Sequence, residues 1–328
     1  MATCLFRSPL APRLQSFLEA RGTRNQHGAS TRKILRYLDR FLMGELRPGQ
    51  PLTREIVEKW NESLAHLNPN TRLNRLCVLR QFCLYLSHFD PRTCIIYRSY
   101  FPRRSRPAPH IYTREEVRKM MAAARKLGPP GSLRPIVVST LIGLLYATGI
   151  RVGEALNLTL GDINLNRRVI EVREGKFGKS RYVPLSPSTA SHMRAYLARR
   201  RKAGFSTAPT APLFLNVIGT KHGHPGFVTV FLEILRSLGL RGPKAERGPR
   251  VHDLRHTFAV ERLMRWYREG VNLGTKLPLL STYLGHSTVS GTEVYLHATA
   301  ELLQSAGRRF HAHFAVPHVV IAKQYDKD

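Results

Sequence analysis

Four separated stretches between residues 146 and 297 contain side chains that could act together on a phosphodiester. The stretches read YATGIRVGEAL, EGKFGKSRYVPL, VHDLRHTFA and LGHSTVSGTEVYLH. Their candidate residues are Arg151, Lys176, His252, Arg255, His286 and Tyr295. Any one stretch has an ordinary explanation, because a His-x-x-Arg pair, a lysine in a turn or a tyrosine in a helix is common. The interpretation therefore depends on the whole set and its order.

The two arginines suit the stabilisation of charge on a phosphate. A guanidinium stays protonated and presents a fork of donors that matches phosphate oxygens. Those oxygens gain charge when phosphorus is attacked, so Arg151 and Arg255 would stabilise the transition state. Tyr295 would be the nucleophile, and a phenol with an ordinary pKa of about 10 needs help to lose its proton. His252, or less directly His286, can take or polarise that proton, because imidazole titrates near neutral pH.

The leaving 5′ oxygen must gain a proton, and a lysine at the tip of a hairpin could deliver it. Lys176 lies in such a position, with Lys179 as a nearby substitute. Glu154 follows Arg151 by three residues and is expected to orient that arginine. The sequence places no carboxylate cluster suited to magnesium beside these residues, so we expect a reaction without a metal or other cofactor. A phosphotyrosyl bond conserves the energy of the phosphodiester, so rejoining needs no ATP.

The charge of the chain indicates a polyanionic partner. Lysine and arginine number 52 against 22 aspartates and glutamates, which gives a formal net charge of +30. A surface this basic gains free energy by releasing counterions from phosphates, so double-stranded DNA is the first partner to consider. Biased codon usage explains part of an arginine excess, but the arginines here are clustered. The content of 42% hydrophobic residues is that of a folded protein.

The elements that must position these residues are mainly helical. Apolar residues recur at helical spacing in residues 31–43, 53–67 and 70–89, which predicts a small helical domain over residues 1–98. Residues 99–111 are rich in arginine and proline and are typical of a linker. A catalytic domain over residues 112–328 then begins with a capping box at Thr113 and Glu116. The expected fold class is mainly α with a small β-hairpin, α+β.

Two local signals describe the interior of the second domain. The run RPIVVSTLIGLLYATG is apolar almost throughout, which predicts a buried helix that ends at Gly149. The segment RVIEVREGKFGKSRYVPL contains two short alternating runs around a glycine-containing turn, which predicts a hairpin. The four cysteines have no CxxC spacing, so neither a zinc site nor a disulfide framework is expected. With no apolar run long enough for a membrane span and no targeting segment, we expect a cytoplasmic protein.

Taken together, the four stretches resemble the tyrosine recombinase family, also called phage-type integrases. The order Arg, Lys, His-x-x-Arg, His, Tyr matches the catalytic set of that family across residues 148–297. The flanking words ATGIRVGEALNL, SRYVPL and HDLRHTFA match as well, as does the nine-residue step from His286 to Tyr295. The segment NPNTRLNRLCVLRQFCLYL looks like part of the helical core-binding domain of the family. The resemblance thus covers most of the chain.

The resemblance implies a site-specific DNA recombinase or integrase, which fits a mobile element in a bacterial cytoplasm. Such an enzyme cuts and rejoins DNA through a 3′-phosphotyrosyl intermediate without metal or ATP. The resemblance also gives His252 the role of base and His286 a hydrogen bond to the phosphate. It also implies a homo- or hetero-tetramer on two DNA sites, with partner recombinases as an option.

The arginines of the first half of the chain are candidates for DNA contact. A clamp around the duplex would place the linker across the DNA backbone, where Arg103, Arg104 and Arg106 suit phosphates. Candidate base readers on the third predicted helix are Arg72, Arg75 and Arg80. A solvated helix face explains these last three about equally well.

Three alternatives stay open. One is a DNA-binding accessory protein that keeps the fold without the chemistry, although such a protein should have lost Arg151, Arg255 or Tyr295. Another is relaxation of supercoils by a type IB topoisomerase, which shares the chemistry. The third concerns the nucleophile, because Tyr267 and Tyr283 lie in the same region. The stretch between Arg255 and His286 is longer than usual for the family, and we expect it to enlarge a loop.

Overall fold

The computed structural model describes residues 5–21, 26–97, 101, 108–173, 180–243, 248–285 and 288. The chain divides into two compact units, residues 1–107 and residues 108–328. Several predicted site residues lie outside the described residues: Lys176, Lys179, His286, Tyr295, Arg103, Arg104 and Arg106. Among the helices described, none is both long and apolar enough to cross a membrane.

The first unit is helical in the part that the structure describes. Its helices are α1 (Ala11–Ala20), α2 (Gln26–Glu45), α3 (Arg54–Ser63) and α4 (Pro69–Ser87). The three helices predicted from apolar spacing are confirmed as α2, α3 and α4, whereas α1 was not predicted. Leu14, Leu38, Leu79 and Phe82 of this unit are almost completely buried, so the apolar stripes of the helices face one core.

The second unit combines helices with a small antiparallel sheet in the part that the structure describes. Its helices are α5 (Arg114–Ala124), α6 (Arg134–Thr148), α7 (Val152–Asn157), α8 (Pro187–Lys202), α9 (His224–Ser237), α10 (Asp253–Arg268) and α11 (Leu273–Leu284). Its strands are β1 (Ile163–Asn164), β2 (Val169–Val172) and β3 (Arg181–Pro184), in the order β1-β2-β3. Ile170 pairs with Val183, and both are fully buried. The predicted hairpin and the mainly α, α+β fold are confirmed.

Local sequence signals fix both ends of the segment that leads to the site. The capping box at the start of α5 is present, because the Thr113 hydroxyl accepts from the Glu116 amide at 3.1 Å and the Glu116 carboxylate accepts from the Thr113 amide at 2.7 Å. Helix α6 is apolar on all sides and buried, and it ends at Gly149 with a φ of 63°. A Cβ atom at Gly149 would lie 2.5 Å from Cδ1 of Phe258, so space as well as backbone conformation requires glycine there.

The expected enlarged loop between Arg255 and His286 is wrong. Helix α10 continues to Arg268, α11 begins at Leu273, and Pro278 lies inside α11. Leu277, Leu280, Ser281 and Leu284 of α11 are all buried, at the spacing of one helical face. Burial of this face outweighs the backbone hydrogen bond that the proline removes.

Candidate active site

The carboxyl end of α11 is where three arginines from three other elements meet. Arg181 Nε donates to the Tyr283 carbonyl at 2.8 Å, Arg255 Nη2 to the Leu284 carbonyl at 2.5 Å, and Arg151 Nη2 to the Gly285 carbonyl at 2.8 Å. Carbonyls in the last turn of a helix have no partner within the helix and carry the negative end of its dipole. Three consecutive carbonyls therefore each bind one guanidinium.

Each arginine reaches this turn because of where its own element begins or ends. Arg151 is the residue before α7 and follows the left-handed turn at Gly149, which ends α6. Arg255 lies in the first turn of α10 and is only 2% exposed. Its Nη1 also donates to the Gly149 carbonyl at 2.8 Å, so it joins the end of α6 to the end of α11. The predicted pair Arg151 and Arg255 is thus brought together by the fold.

The buried carboxylate of Glu154 offsets part of the positive charge of this cluster. Glu154 accepts from Arg151 Nη1 at 2.8 Å and from Arg181 at 3.1 Å and 2.7 Å. It also accepts from the Arg151 amide at 2.9 Å. Burial by itself would raise the pKa of Glu154, but the hydrogen bonds and charge of Arg181, followed by those of Arg151, outweigh burial and lower the pKa to about 2. The carboxylate is therefore charged at neutral pH, and the expectation that Glu154 orients Arg151 agrees with this geometry.

The three arginines differ in exposure, and Arg255 is only 2% exposed. The side chain of Arg151 keeps 24% of its surface accessible, whereas that of Arg181 keeps 11%. Arg151 is thus open to solvent, while Nε, Nη1 and Nη2 of Arg181 all donate to the protein. Arg181 was not predicted from the sequence. Its position in the stretch SRYVPL, two residues before the buried Val183, was the only available signal.

His252 lies at the surface directly before α10, with its ring in contact with His256. The two ring centroids are 4.7 Å apart and the rings are nearly perpendicular, at 86°. Partial burial, followed by the neighbouring His256 and Arg255, lowers the pKa of His252 to about 4. The imidazole is therefore neutral at physiological pH.

Comparisons with known proteins show what the chain is similar to. The sequence matches the phage integrase family over residues 111–301, more than half of the chain. The Sinorhizobium fredii protein y4rB, whose name describes it as an integrase or recombinase, is 37% identical over 79% of this chain and 83% of its own length. The tyrosine recombinase XerD of Halalkalibacterium halodurans is 27% identical over 91% of this chain and 97% of its own.

The chain belongs to the phage integrase family. Its fold is also that of the Tn1549 transposon integrase solved with transposon right end DNA, with a TM-score of 0.69, 18% identity and coverage of 94% of this chain and 100% of the other. The resemblance to tyrosine recombinases is thereby confirmed. This member of the phage integrase family is a tyrosine-type recombinase, an enzyme of DNA strand cleavage and rejoining.

The two alternative tyrosines of this phage integrase are poorly placed. Tyr283 stacks on Phe258 with ring centroids 5.4 Å apart, and burial raises its pKa to about 12. Tyr267 follows Arg255 by twelve residues on α10, which corresponds to about 18 Å along a helix axis. The backbone of Tyr283 lies at the arginine cluster, but its ring is packed against Phe258, and Tyr267 lies far along α10, so Tyr295 remains the predicted nucleophile.

The three predicted base readers on α4 each contact the protein itself. Arg72 Nε donates to Asn61 Oδ1 at 2.8 Å, and Arg80 Nε donates to the Ile96 carbonyl at 2.9 Å. The guanidinium of Arg75 lies 4.3 Å from the centroid of the Tyr37 ring. All three side chains are partly buried, so any contact with DNA would have to use their remaining exposed atoms. Within the residues described, no group of three or more potential metal ligands occurs.

Proposed function

We propose that this phage integrase cuts and rejoins DNA at specific sites of a mobile element, with Tyr295 as its nucleophile. The observation that carries the proposal is the meeting of Arg151 and Arg255 at the last turn of α11, immediately before His286 in the chain. Two guanidiniums on adjacent carbonyls form a site of high positive potential that suits one phosphodiester. The 37% identity to a protein named as an integrase or recombinase supports the mobile element.

In the proposed reaction, the Tyr295 oxygen attacks phosphorus while Arg151 and Arg255 stabilise the charge on the non-bridging oxygens. A tyrosine-to-phosphorus bond forms at the 3′ side and the bond to the 5′ oxygen breaks. His252 takes the phenol proton, and His286 donates a hydrogen bond to the phosphate. Lys176, or Lys179 in its place, gives a proton to the leaving oxygen. Attack by a 5′ hydroxyl of a second strand reverses the step without metal or ATP.

The rest of the chain would hold the DNA. We assign DNA binding to the helical domain of residues 1–98 and phosphate contacts to Arg103, Arg104 and Arg106 of the linker. The net charge of +30 supports this grip. Recombination between two sites needs four protomers, so we propose a homo- or hetero-tetramer, with partner recombinases as the second option, acting in the cytoplasm.

The test is covalent trapping on nicked DNA. Duplexes carrying the sequences that flank the gene of this protein are nicked just beyond the cleavage point, so that the short 5′-hydroxyl strand diffuses away and the adduct accumulates. The wild type is compared with Tyr295→Phe and with the matched control Tyr283→Phe. We expect the adduct to disappear in the first variant only. Specific binding by the wild type without any adduct would instead favour a DNA-binding protein that has no cleavage activity.

A further inference from the structure

We propose that Arg181 is a positioning residue for strand cleavage, which acts by holding Arg151, through Glu154, against the carboxyl end of α11. The inference rests on the proposed function, because it takes Arg151 as a phosphate ligand. Arg181 itself would not touch the DNA.

All three nitrogens of the Arg181 guanidinium donate to the protein. Nη1 and Nη2 donate to the two oxygens of Glu154 at 3.1 Å and 2.7 Å, a forked pair. Nε donates to the Tyr283 carbonyl at 2.8 Å. The residue therefore joins β3 to the start of α7 and to the end of α11. Because Nε, Nη1 and Nη2 all donate to the protein, the guanidinium of Arg181 is held in place from three sides.

The glycine that ends α11 shows how closely the two arginines are packed. A Cβ atom on Gly285 would lie 2.9 Å from Arg181 Nη1 and 3.4 Å from Arg151 Nη1. Both guanidiniums thus lie against the same backbone turn. One carboxylate, that of Glu154, accepts hydrogen bonds from both of them. Two cations this close repel each other, so their arrangement requires the shared anion.

Loss of Arg181 would remove the hydrogen bonds that hold Glu154 and the Tyr283 carbonyl. Glu154 would keep Arg151 but lose the forked partner that fixes the direction of its carboxylate, and the Tyr283 carbonyl would lose its donor. Arg151 could then follow Glu154 away from the Gly285 turn. Misplacement of a catalytic group by about 1 Å costs about 100-fold in rate. We therefore expect cleavage to slow by about 100-fold in Arg181→Ala, while the affinity for DNA changes by less than about threefold.

The experiment compares single-turnover cleavage of two nicked substrates. One has an ordinary scissile phosphate, and in the other a methyl group replaces one non-bridging oxygen. The second substrate has no negative charge, so it needs a well-placed guanidinium much less. A defect in the position of Arg151 should shrink on this neutral substrate, whereas a defect in folding or DNA binding should be the same on both. DNA affinity is measured in parallel.

The matched control is Arg200→Ala in the same unit. Arg200 is 2% exposed and donates to the carbonyls of Ser206 and Pro212, so it is a second buried arginine bound to backbone, remote in its contacts from the cluster. We expect its loss to lower stability without a defect that depends on the charge of the substrate. If Arg181→Ala does not fold, Arg181→Lys and Arg181→Gln are compared on the same two substrates instead. We expect lysine to be intermediate, since it keeps the charge and loses the fork.

Arg151→Ala separates failure of the inference from failure of the proposed function. If both Arg151→Ala and Arg181→Ala lose most of their defect on the neutral substrate, the positioning role is supported. If only Arg151→Ala does so, or if Arg181→Ala cleaves normally, the inference is overturned and the proposed function stands. If Arg151→Ala has an equal defect on both substrates, Arg151 is not a phosphate ligand, and the proposed function fails together with the inference.

Discussion

Replacement of Glu154 by glutamine should destabilise the second unit by about 3 kcal/mol at neutral pH. The side chain is 8% exposed and accepts hydrogen bonds from Arg151 and Arg181. Its pKa is lowered from an ordinary 4.5 to about 2, a fall of about 2.5 units. One unit corresponds to about 1.4 kcal/mol, and the low exposure leaves little solvent to screen the pairs, so the two values give about 3 kcal/mol. Removal of one member of a buried ion pair costs a similar amount, about 3 to 5 kcal/mol.

The pH dependence has a definite sign. Because the folded pKa of Glu154 is depressed, its contribution is fully present above about pH 4.5 and is lost as the pH falls toward about 2. The glutamine variant has no carboxylate to protonate. The gap in stability between wild type and variant should therefore stay constant from pH 8 to 5 and narrow below pH 4.5.

Urea denaturation followed by tryptophan fluorescence can measure this difference in stability for the second unit alone. The chain has 2 tryptophans, Trp60 in the first unit and Trp266 in the second. A Trp60→Phe background leaves Trp266 on α10 as the reporter. The matched control is Glu171→Gln, whose partner Arg173 is 60% exposed and for which we expect a loss below about 1 kcal/mol. A loss below 1 kcal/mol for Glu154→Gln, or a gap that does not narrow in acid, would refute the reasoning.

The remaining predictions concern the base, the turn and the buried arginine. Partial burial, followed by His256 and Arg255, lowers the pKa of His252 to about 4. The single-turnover cleavage rate should therefore be level from pH 8 to 5 and fall only below about pH 5. An acid midpoint of the rate near pH 6.5 would contradict this prediction. Gly149→Ala should destabilise the second unit by about 2 kcal/mol in the urea assay, because Gly149 has a φ of 63° and a Cβ atom there would lie 2.5 Å from Phe258. The control is Gly153→Ala, which has open space around its Cβ atom and should leave the stability unchanged. Arg255→Lys should slow cleavage by about 100-fold, because lysine has no fork to span the Gly149 and Leu284 carbonyls, and a slowing of less than threefold would count against a catalytic role.

The features that were predictable from the sequence are those set by neighbours in the chain. Apolar spacing predicts α2, α3 and α4, and the Thr113 capping box marks the start of α5. The three-residue step from Arg151 to Glu154 lies within one helical turn, so that ion pair was also predictable. The extra length between Arg255 and His286 was wrongly assigned to a loop, because the burial of one face of α11, which decides the structure there, depends on packing partners distant in the chain.

The contacts that were not predictable join residues far apart in the chain. Arg181 binds Glu154, 27 residues before it, and the Tyr283 carbonyl, 102 residues after it. Backbone carbonyls leave no mark in a sequence, so the binding of three arginines to the end of α11 could be found only from the fold. Arg75 and Arg80 are similar, since their contacts with the Tyr37 ring and the Ile96 carbonyl depend on the packing of the first unit.

The central claim, Tyr295 as nucleophile, is tested most directly by mapping the DNA-linked peptide. Trypsin leaves Tyr283 and Tyr295 together, because the chain has no lysine or arginine between Lys276 and Arg308. Cleavage after glutamate separates them, since Tyr295 then lies in the peptide VYLHATAE between Glu293 and Glu301. The adduct is formed in the presence of a metal chelator, and its DNA is then digested until one nucleotide remains on the protein. Mass spectrometry should find this nucleotide on the peptide VYLHATAE. The nucleotide on the peptide that holds Tyr283, or on the one that holds Tyr267, would contradict the account.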